Sequence, residues 1–221
     1  APVEDTGVYL DELFDTTAKN SLYPEKSLND FFISLKTSGK EATIPLLKYG
    51  DRDIKIVGLA LFRKDKMVGK IKIPETRALL LIQEKFVKGP IDLKIQDYHV
   101  NYYVQQVKTK INVNYSKDRF DFEINSKLEV DVTENTSEKR LIGNKAALNK
   151  MEKFLARALK KEMHKLFGQL QTQQSDVIGL GQRAKAKYPQ YYNKKYWNQQ
   201  FSQAKIHIHI DVSIRRFGIS I

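Results

Sequence analysis

Residues Gly143 to Gln171, GNKAALNKMEKFLARALKKEMHKLFGQLQ, form the stretch that decides the fold. The stretch contains no proline, and its only glycines are Gly143 and Gly168. Its apolar side chains recur at steps of three and four residues, which places them on one face of a helix: Leu148, Met151, Leu155, Leu159, Leu166 and Leu170. We predict one helix, capped by Asn144 and about 40 Å long, that can cover a whole sheet.

A second face of this helix is basic. Lys153, Arg157, Lys160 and His164 recur at the same helical spacing, and Lys161 lies beside them. No residue pattern on the helix is typical of catalysis. We therefore expect a scaffold element that carries a positively charged stripe.

The net charge of +12 lies entirely in the C-terminal part of the chain. Residues 140–221 contain 16 Lys or Arg and four Asp or Glu, whereas the preceding 139 residues contain 22 of each. This asymmetry indicates an anionic partner, which is a membrane surface, a nucleic acid or an acidic protein face. The alternative is a solvated face that is positive for solubility.

Composition indicates a globular protein and excludes several kinds of site and segment. The chain has 221 residues, 41% of them hydrophobic and 29% charged, as in globular proteins of one large or two small domains. It has no cysteine, which excludes disulfides, thiolate metal sites and a cysteine nucleophile. The longest apolar run, Ala78–Ile82, is far shorter than the roughly 18 residues of a membrane span. Without an initiator methionine or signal-like start, we expect a fragment or a processed chain.

The N-terminal part predicts a small α+β domain. Asn29–Leu35 favours a short helix, and residues 54–73 favour a hairpin that turns at Lys64–Lys66. Pro74–Thr76 opens a further helix, whereas Ile44–Leu47 is too short to assign. Residues 85–97 contain Gly89-Pro90 and no long periodic pattern, so we place a domain boundary there. The predicted domains are residues 1–90 and 91–221.

The second domain begins with two alternating strands. One face of the first strand becomes apolar towards the end of the strand, and we predict that it points inward. It contains Tyr103, Gln105, Val107, Thr109, Ile111, Val113 and Tyr115. In the second, the apolar face contains Phe120, Phe122, Ile124, Leu128, Val130 and Val132. Such one-sided alternation is typical of an antiparallel sheet with solvent on one face. The long helix is expected to cover the other face.

Two shorter helices and a last strand complete this domain. We predict helices at Asp176–Lys187 and Gln190–Phe201, interrupted by Pro189. The last strand points Ile206, Ile208, Ile210, Val212 and Ile214 inward and joins the same sheet. The predicted fold class is α+β, with two domains that each contain a mostly antiparallel sheet flanked by helices. The order in the C-terminal domain is β-β-α-α-α-β.

Three patterns bear on chemistry, and none predicts an enzyme. His207, His209 and Asp211 share one strand face, but we favour the polar face of an amphipathic strand over a metal site. Gly179 and Gly181 lack the third glycine of a dinucleotide loop, and we favour a helix–helix corner capped by Asp176. G-x-S-x-G and H-E-x-x-H motifs are absent. No catalytic residue, cofactor or metal is predicted.

The segment Tyr188–Trp197 interleaves aromatic residues with lysines. Such a pattern can bind single-stranded nucleic acid or lie at a membrane interface. We favour a third interpretation, in which Tyr192, Tyr196 and Trp197 are core residues of an amphipathic helix. Lys194 and Lys195 then lie outside.

Three passages together resemble the Ger(x)C family, the C-subunit lipoproteins of the nutrient receptors of bacterial spores. The first is Gly58–Gly69, GLALFRKDKMVG, which is similar to a hairpin motif of that family. The second is Gln174–Gly181, QSDVIGLG, followed by Lys187-Tyr-Pro189. The third combines Trp197 and Phe201 with a final strand that ends IRRFG at Gly218. Their order along the chain makes the assignment specific.

The resemblance implies a receptor subunit with no catalytic residues to transfer. Such subunits are anchored by a lipid on an N-terminal cysteine, on the outer face of the spore inner membrane. They act there beside two polytopic membrane subunits to sense amino acids or sugars. This chain then corresponds to the C-terminal portion, since it lacks the first domain and the anchoring cysteine. The implied fold, several α+β domains with helix-flanked sheets, agrees with the pattern above.

We therefore expect a non-enzymatic germinant-receptor subunit that supports nutrient-triggered germination through protein and membrane-surface contacts. The expected contact surface is Lys153, Arg157, Lys160, Lys161, Lys194 and Lys195. The alternative is a basic nucleic-acid-binding module, although nothing in the chain points to a specific nucleic acid partner. A third possibility, direct binding of the germinant, lacks a compact set of polar groups that would hold an amino acid.

Overall fold

The computed structural model describes residues 12–13, 23, 27–49, 54–86, 88–95, 98–135 and 145–217. The main helices are α1 (Leu28–Lys36), α2 (Ile73–Ile82), α3 (Lys145–Thr172), α4 (Leu180–Lys187) and α5 (Trp197–Gln203). The strands are β1 (Thr43–Tyr49), β2 (Ile54–Arg63), β3 (Lys66–Lys72), β4 (Gly89–Ile95), β5 (Tyr98–Ser116), β6 (Arg119–Asn135) and β7 (Lys205–Phe217).

The strands form two sheets. The first has the antiparallel order β1-β2-β3, and the second has the order β4-β5-β6-β7. Strands β4, β5 and β6 are antiparallel, whereas β7 runs parallel to β6 because three helices carry the chain back to the end of the sheet where β6 begins. This confirms the predicted α+β class, the mostly antiparallel sheets and the β-β-α-α-α-β order from β5 to β7.

Helix α3 covers the apolar face of the second sheet. Five of the six predicted inward side chains are buried, Leu148 near the start of the helix is half-buried, and Met163 and Phe167 extend the set. The buried residues of the helix are Met151, Leu155, Leu159, Met163, Leu166, Phe167 and Leu170. The predicted start at Gly143 and the Asn144 cap lie outside the described residues. The predicted apolar face of β6 is buried in the same core: Phe120, Phe122, Ile124, Leu128, Val130 and Val132. The alternation in β7 is also as predicted, with Ile208 and Val212 buried.

Helix α2 lies between the two sheets. Residues 78–82 are all buried, because the helix packs against α3 on one side and contacts β2 and β5 on others. A helix that is apolar all round is typical of a core position. One continuous apolar cluster includes residues from Tyr23 to Val212. The division of the chain near residue 90 stays a prediction.

Two edge strands were not predicted from the sequence. Strand β1 contains Pro45, and β4 begins at Gly89-Pro90. Proline cannot donate to a strand ladder, but an edge strand has one unpaired side that tolerates it. By contrast, the β2–β3 hairpin and the helix around residues 29–35 were predicted correctly. The carboxylate of Asp30 and the hydroxyl of Ser27 cap that helix, α1, reciprocally.

A bulge in β5 makes the predicted facing of its first half wrong. Val104 pairs with Val130 and Gln106 with Glu129, so Gln105 is an extra residue without a partner in the ladder. One inserted residue moves the following side chains to the opposite face. Tyr102 and Val104 are therefore buried before the bulge, in place of Tyr103 and Gln105.

The two helices before β7 are shorter than predicted. Helix α4 begins at Leu180 and α5 begins at Trp197, so most of the expected helix from Gln190 is a series of turns. Pro189 ends the preceding helical pattern. The side-chain oxygen of Asn193 then accepts the backbone N–H groups of Lys195 and Tyr196, which holds a turn in place of a helix.

Candidate functional site: two basic surfaces joined by a buried corner

The first surface is the exposed face of α3. Lys153, Arg157, Lys160 and Lys161 are all exposed, on the side of the helix opposite its buried residues. None of the four forms an ion pair with a residue of the described ranges. These four residues are called the α3 stripe below. His164 is also exposed.

Helix α3 is fixed to its neighbours by carboxylates that lie off the stripe. Glu152 accepts the backbone N–H of Ile214 at 2.9 Å, which ties the helix to β7. Glu162 pairs with Arg77 of α2, and burial raises the pKa of Glu162 although Arg77 opposes that shift. Lys165 pairs with Glu75 of the same helix α2. The basic stripe is therefore carried on a rigid element.

Lys194 and Lys195 belong to a second surface. Both are exposed, as predicted, but they lie in turns before α5 and not on a helix. Lys195 lines an open groove together with the β2–β3 turn, and none of the α3 stripe residues lines it. The structure therefore distributes the six predicted surface residues over more than one face.

The groove has a volume of about 530 Å³. Its lining includes four basic residues and two exposed apolar ones: Arg63, Lys64, Lys66, Lys195, Met67 and Tyr196. The sequence did not single out the three basic residues at the β2–β3 turn, because they lie in the charge-balanced part of the chain. Their position at a predicted hairpin turn was the one indication that their side chains are exposed.

The aromatic segment before α5 is only partly buried. Trp197 is buried as predicted and Tyr192 is half-buried, with its hydroxyl 2.8 Å from that of Ser38. The prediction for Tyr196 was wrong, because half of its side chain is exposed. Tyr191 stacks on Tyr115 with ring centroids 4.0 Å apart.

Asp176 forms a corner that joins the segment before β1 to helices α4 and α5. Its carboxylate accepts the backbone N–H groups of Gly179, Leu180 and Gly181 at 2.8–3.0 Å. It also accepts the indole N–H of Trp197 at 2.9 Å, while its backbone carbonyl accepts the N–H of Glu41 at 2.8 Å. The predicted cap is thus present.

Burial dominates the ionisation of this carboxyl group. It raises the pKa of Asp176 to about 6, and the four N–H donors oppose that shift. Gly181 is needed for the close approach of neighbouring groups at this corner. A Cβ there would lie 2.5 Å from the indole ring of Trp197 and 2.6 Å from the Cα of Gly39.

The histidines of β7 do not form a metal site in the described structure. His207, His209 and Asp211 are exposed on the outer face of the strand, and the nearest carboxylate contact joins His209 Nε2 to Glu123 at 3.9 Å. Within the ranges that the structure describes, no group of three or more His, Asp or Glu could hold a metal ion. None of the described helices has the length and apolar character needed to cross a membrane.

The fold and its surfaces thus define an α+β protein whose exposed features are basic faces. Comparisons with known proteins agree with this class. A family model described as "Spore germination B3/ GerAC like, C-terminal" matches residues 57–218. The chain therefore belongs to this spore germination family, in the region that the model describes as C-terminal. That description names a role in spore germination and no reaction.

Two individual proteins give the extent of the similarity. The spore germination protein GerQC of Bacillus cereus is 20% identical over 215 residues, which are 96% of this chain and 59% of GerQC. The chain thus spans less than two thirds of the length of that relative. The crystal structure of the GerBC protein matches with a TM-score of 0.75 at 18% identity, over 88% of this chain and 65% of GerBC. The second similarity shows that the two proteins share a fold.

Proposed function

We propose that this chain is part of a non-enzymatic subunit of a spore germinant receptor. In this proposal it supports nutrient-triggered germination through contacts with the other receptor subunits, which are polytopic membrane proteins, and with the surface of the spore inner membrane. Membership of the spore germination family supports the general role. The observation that carries the finer proposal is the α3 stripe, four exposed cations on a rigid helix without partners in the described structure.

The stripe is suited to an anionic bilayer. Each Lys or Arg near such a surface contributes about 1 kcal/mol of attraction, and the effect decays within a Debye length. One lipid chain alone gives marginal binding, whereas a lipid together with a polybasic patch gives stable anchoring. We therefore propose that the full-length protein is lipid-anchored on the outer face of the inner membrane. A lipid-modified cysteine upstream of the present residues would support this arrangement.

The nucleic-acid alternative needs aromatic side chains free to stack on bases. Most aromatic residues of the segment before α5 are used in internal packing. Trp197 is buried against Phe120, and Tyr191 stacks on Tyr115. Tyr196 is half-exposed, but the Lys195 ammonium lies 5.3 Å from the centre of its ring. These contacts favour the receptor-subunit proposal.

Co-sedimentation with vesicles that contain anionic lipid, over a salt series, tests the membrane contact. Reversal of the stripe in one variant (Lys153→Glu, Arg157→Glu, Lys160→Glu and Lys161→Glu) is expected to weaken binding at least tenfold at low salt. The matched control reverses four exposed lysines of the β5–β6 hairpin: Lys108, Lys110, Lys117 and Lys127. The control is expected to retain most of the binding, and circular dichroism checks that both variants are folded.

Two outcomes would contradict this proposal. Equal losses in the stripe variant and its control would show that net charge, and not the stripe, attracts the vesicles. Tight binding of a fluorescent oligonucleotide, with a steep salt dependence and loss in the stripe variant, would favour the nucleic-acid module.

A further inference from the structure

The groove beside the β2–β3 turn is a second concave surface with its own chemistry. Three separate segments line it: residues 63–68 of the hairpin, Gln174 after α3, and residues 195–199 at the start of α5. Its volume of about 530 Å³ lies within the range of about 300–1,000 Å³ that is common for ligand sites.

Hydrogen bonds between these segments hold the groove open. Glu41 is buried, and its two carboxylate oxygens accept the backbone N–H of Lys64 and the side-chain amide of Asn198, each at 2.7 Å. The Arg63 guanidinium donates to the side-chain oxygen of Gln174 at 3.1 Å. The walls are thus braced before any partner binds, which lowers the ordering cost of association.

The charge of the groove is positive and largely unpaired. Arg63, Lys64, Lys66 and Lys195 are exposed around it, against the single acidic residue Asp65. The side-chain ammonium groups of Lys64, Lys66 and Lys195 form no ion pair with a carboxylate of the described residues. Groups of this kind attract carboxylates, and rim cations increase both the association rate and the specificity for an acidic partner.

The groove also offers apolar contact. Met67 is 52% exposed and Tyr196 is 50% exposed, although both are large side chains. A lipid bilayer is broad and cannot follow a concave surface, whereas an extended peptide can place one side chain in it. Methionine and tyrosine are enriched at protein interfaces for this kind of contact.

We propose that this groove binds an acidic, extended segment of a partner protein. Carboxylates of the segment pair with Lys64, Lys66 and Lys195, and an apolar side chain between them packs against Met67 and Tyr196. The inference rests on the proposed function, since it assigns the protein contact of the subunit to one surface. It makes no use of the α3 stripe.

Fluorescence anisotropy with labelled peptides tests the inference directly. One probe alternates glutamate with glycine around a central leucine, a second has glutamine in place of glutamate, and a third has glycine in place of leucine. We expect the first to bind most tightly. Lys66→Glu with Lys195→Glu should weaken its binding at least tenfold. Met67→Ala should weaken it several-fold and leave the leucine-free peptide unchanged.

The matched control is Lys153→Glu with Lys160→Glu, which changes the net charge equally on the α3 stripe. Its peptide binding should stay within about threefold of the original, while its vesicle binding falls. Equal loss of peptide binding in both double variants would overturn the inference, as would glutamine-peptide binding as tight as that of the glutamate probe. Loss of vesicle or oligonucleotide binding, but not of peptide binding, in the groove variant would also overturn it. Vesicle binding in the same samples reports separately on the proposed function.

Discussion

Five hydrogen bonds fix the position of Asp176. Three backbone N–H groups of the α4 turn and the indole N–H of Trp197 donate to its carboxylate oxygens, and its backbone carbonyl accepts the N–H of Glu41, two residues before β1. Lys40 lies near this carboxyl group, and burial lowers the pKa of that lysine. The buried charge is therefore stabilised mainly by hydrogen bonds.

The raised pKa predicts how this residue affects stability with pH. Between its usual value near 3.8 and about 6, the native carboxyl retains a proton that the unfolded chain has released. The native state then binds more protons than the unfolded state. The contribution of Asp176 to the free energy of unfolding is therefore greatest below pH 3.8 and falls as the pH rises to about 6. The total loss is about 3 kcal/mol, because each pKa unit corresponds to about 1.4 kcal/mol.

Urea unfolding of the wild type and of Asp176→Asn, from pH 4 to 7.5, measures this effect. The difference between their free energies of unfolding should decrease up to about pH 6 and then stay constant, because the amide does not titrate. A difference that increases with pH would contradict the expected sign. Emission of Trp197, the only tryptophan, provides a second measurement with a midpoint expected near pH 6.

At the scale of elements, two glycines of neighbouring helices have opposite roles. Gly168 lies inside α3, and a Cβ added there meets nothing within 4 Å. We expect Gly168→Ala to increase the free energy of unfolding by about 0.5–1 kcal/mol, because alanine loses less backbone entropy in a helix. Gly181→Ala should decrease it by about 1–3 kcal/mol, since the new methyl overlaps Trp197 and Gly39.

Thermal and denaturant unfolding of the two variants check this pair. Each serves as the control of the other, because both exchange the same residue types in a helix. Similar effects of the two substitutions would show that packing at the α4 corner is looser than described.

Helices and strands with a long periodic pattern of apolar residues were predictable from the sequence. Elements whose conformation depends on tertiary contacts were not. Helix α3 and the hairpin β5–β6 have long apolar patterns, so local spacing determines them. The bulge at Gln105 has no local signal, because only the pairing with β6 makes that residue extra. Strand β4 is short and begins with Gly89-Pro90, and its strand conformation depends on β5 beside it.

At the scale of the whole molecule, the two sheets share one apolar core. Helix α2 contributes buried side chains that face both β2 and α3, and the Arg77–Glu162 and Glu75–Lys165 pairs join α2 to α3. Unfolding of one sheet would expose the buried surface of the other. Cooperative unfolding is therefore expected for the chain as a whole.

Calorimetry combined with urea unfolding, followed by Trp197 emission and by circular dichroism, tests this coupling. We expect coincident single transitions. Two separate transitions would instead support a boundary near residue 90 between independently stable halves.

The candidate surfaces were predictable only in part. Charge counting and helical spacing pointed to the α3 stripe, and its four residues are exposed in the structure. Their role as a contact surface stays a prediction. The groove could not be predicted, because Lys66 and Lys195 are far apart in sequence and meet only through the Glu41 bridge to Lys64 and Asn198. A buried carboxylate in an otherwise ordinary segment leaves no recognisable sequence pattern.

The parallel pairing of β7 with β6 has a consequence for biosynthesis. Phe122 lies beside Ile206, so the sheet gains its last strand only after α3, α4 and α5 have left the ribosome. Until then β6 has an unpaired edge, and the apolar residues that β7 covers stay in contact with water. Such long-range pairing slows folding and exposes nascent chains to aggregation. The newly made chain therefore passes through a vulnerable interval that ends when β7 docks.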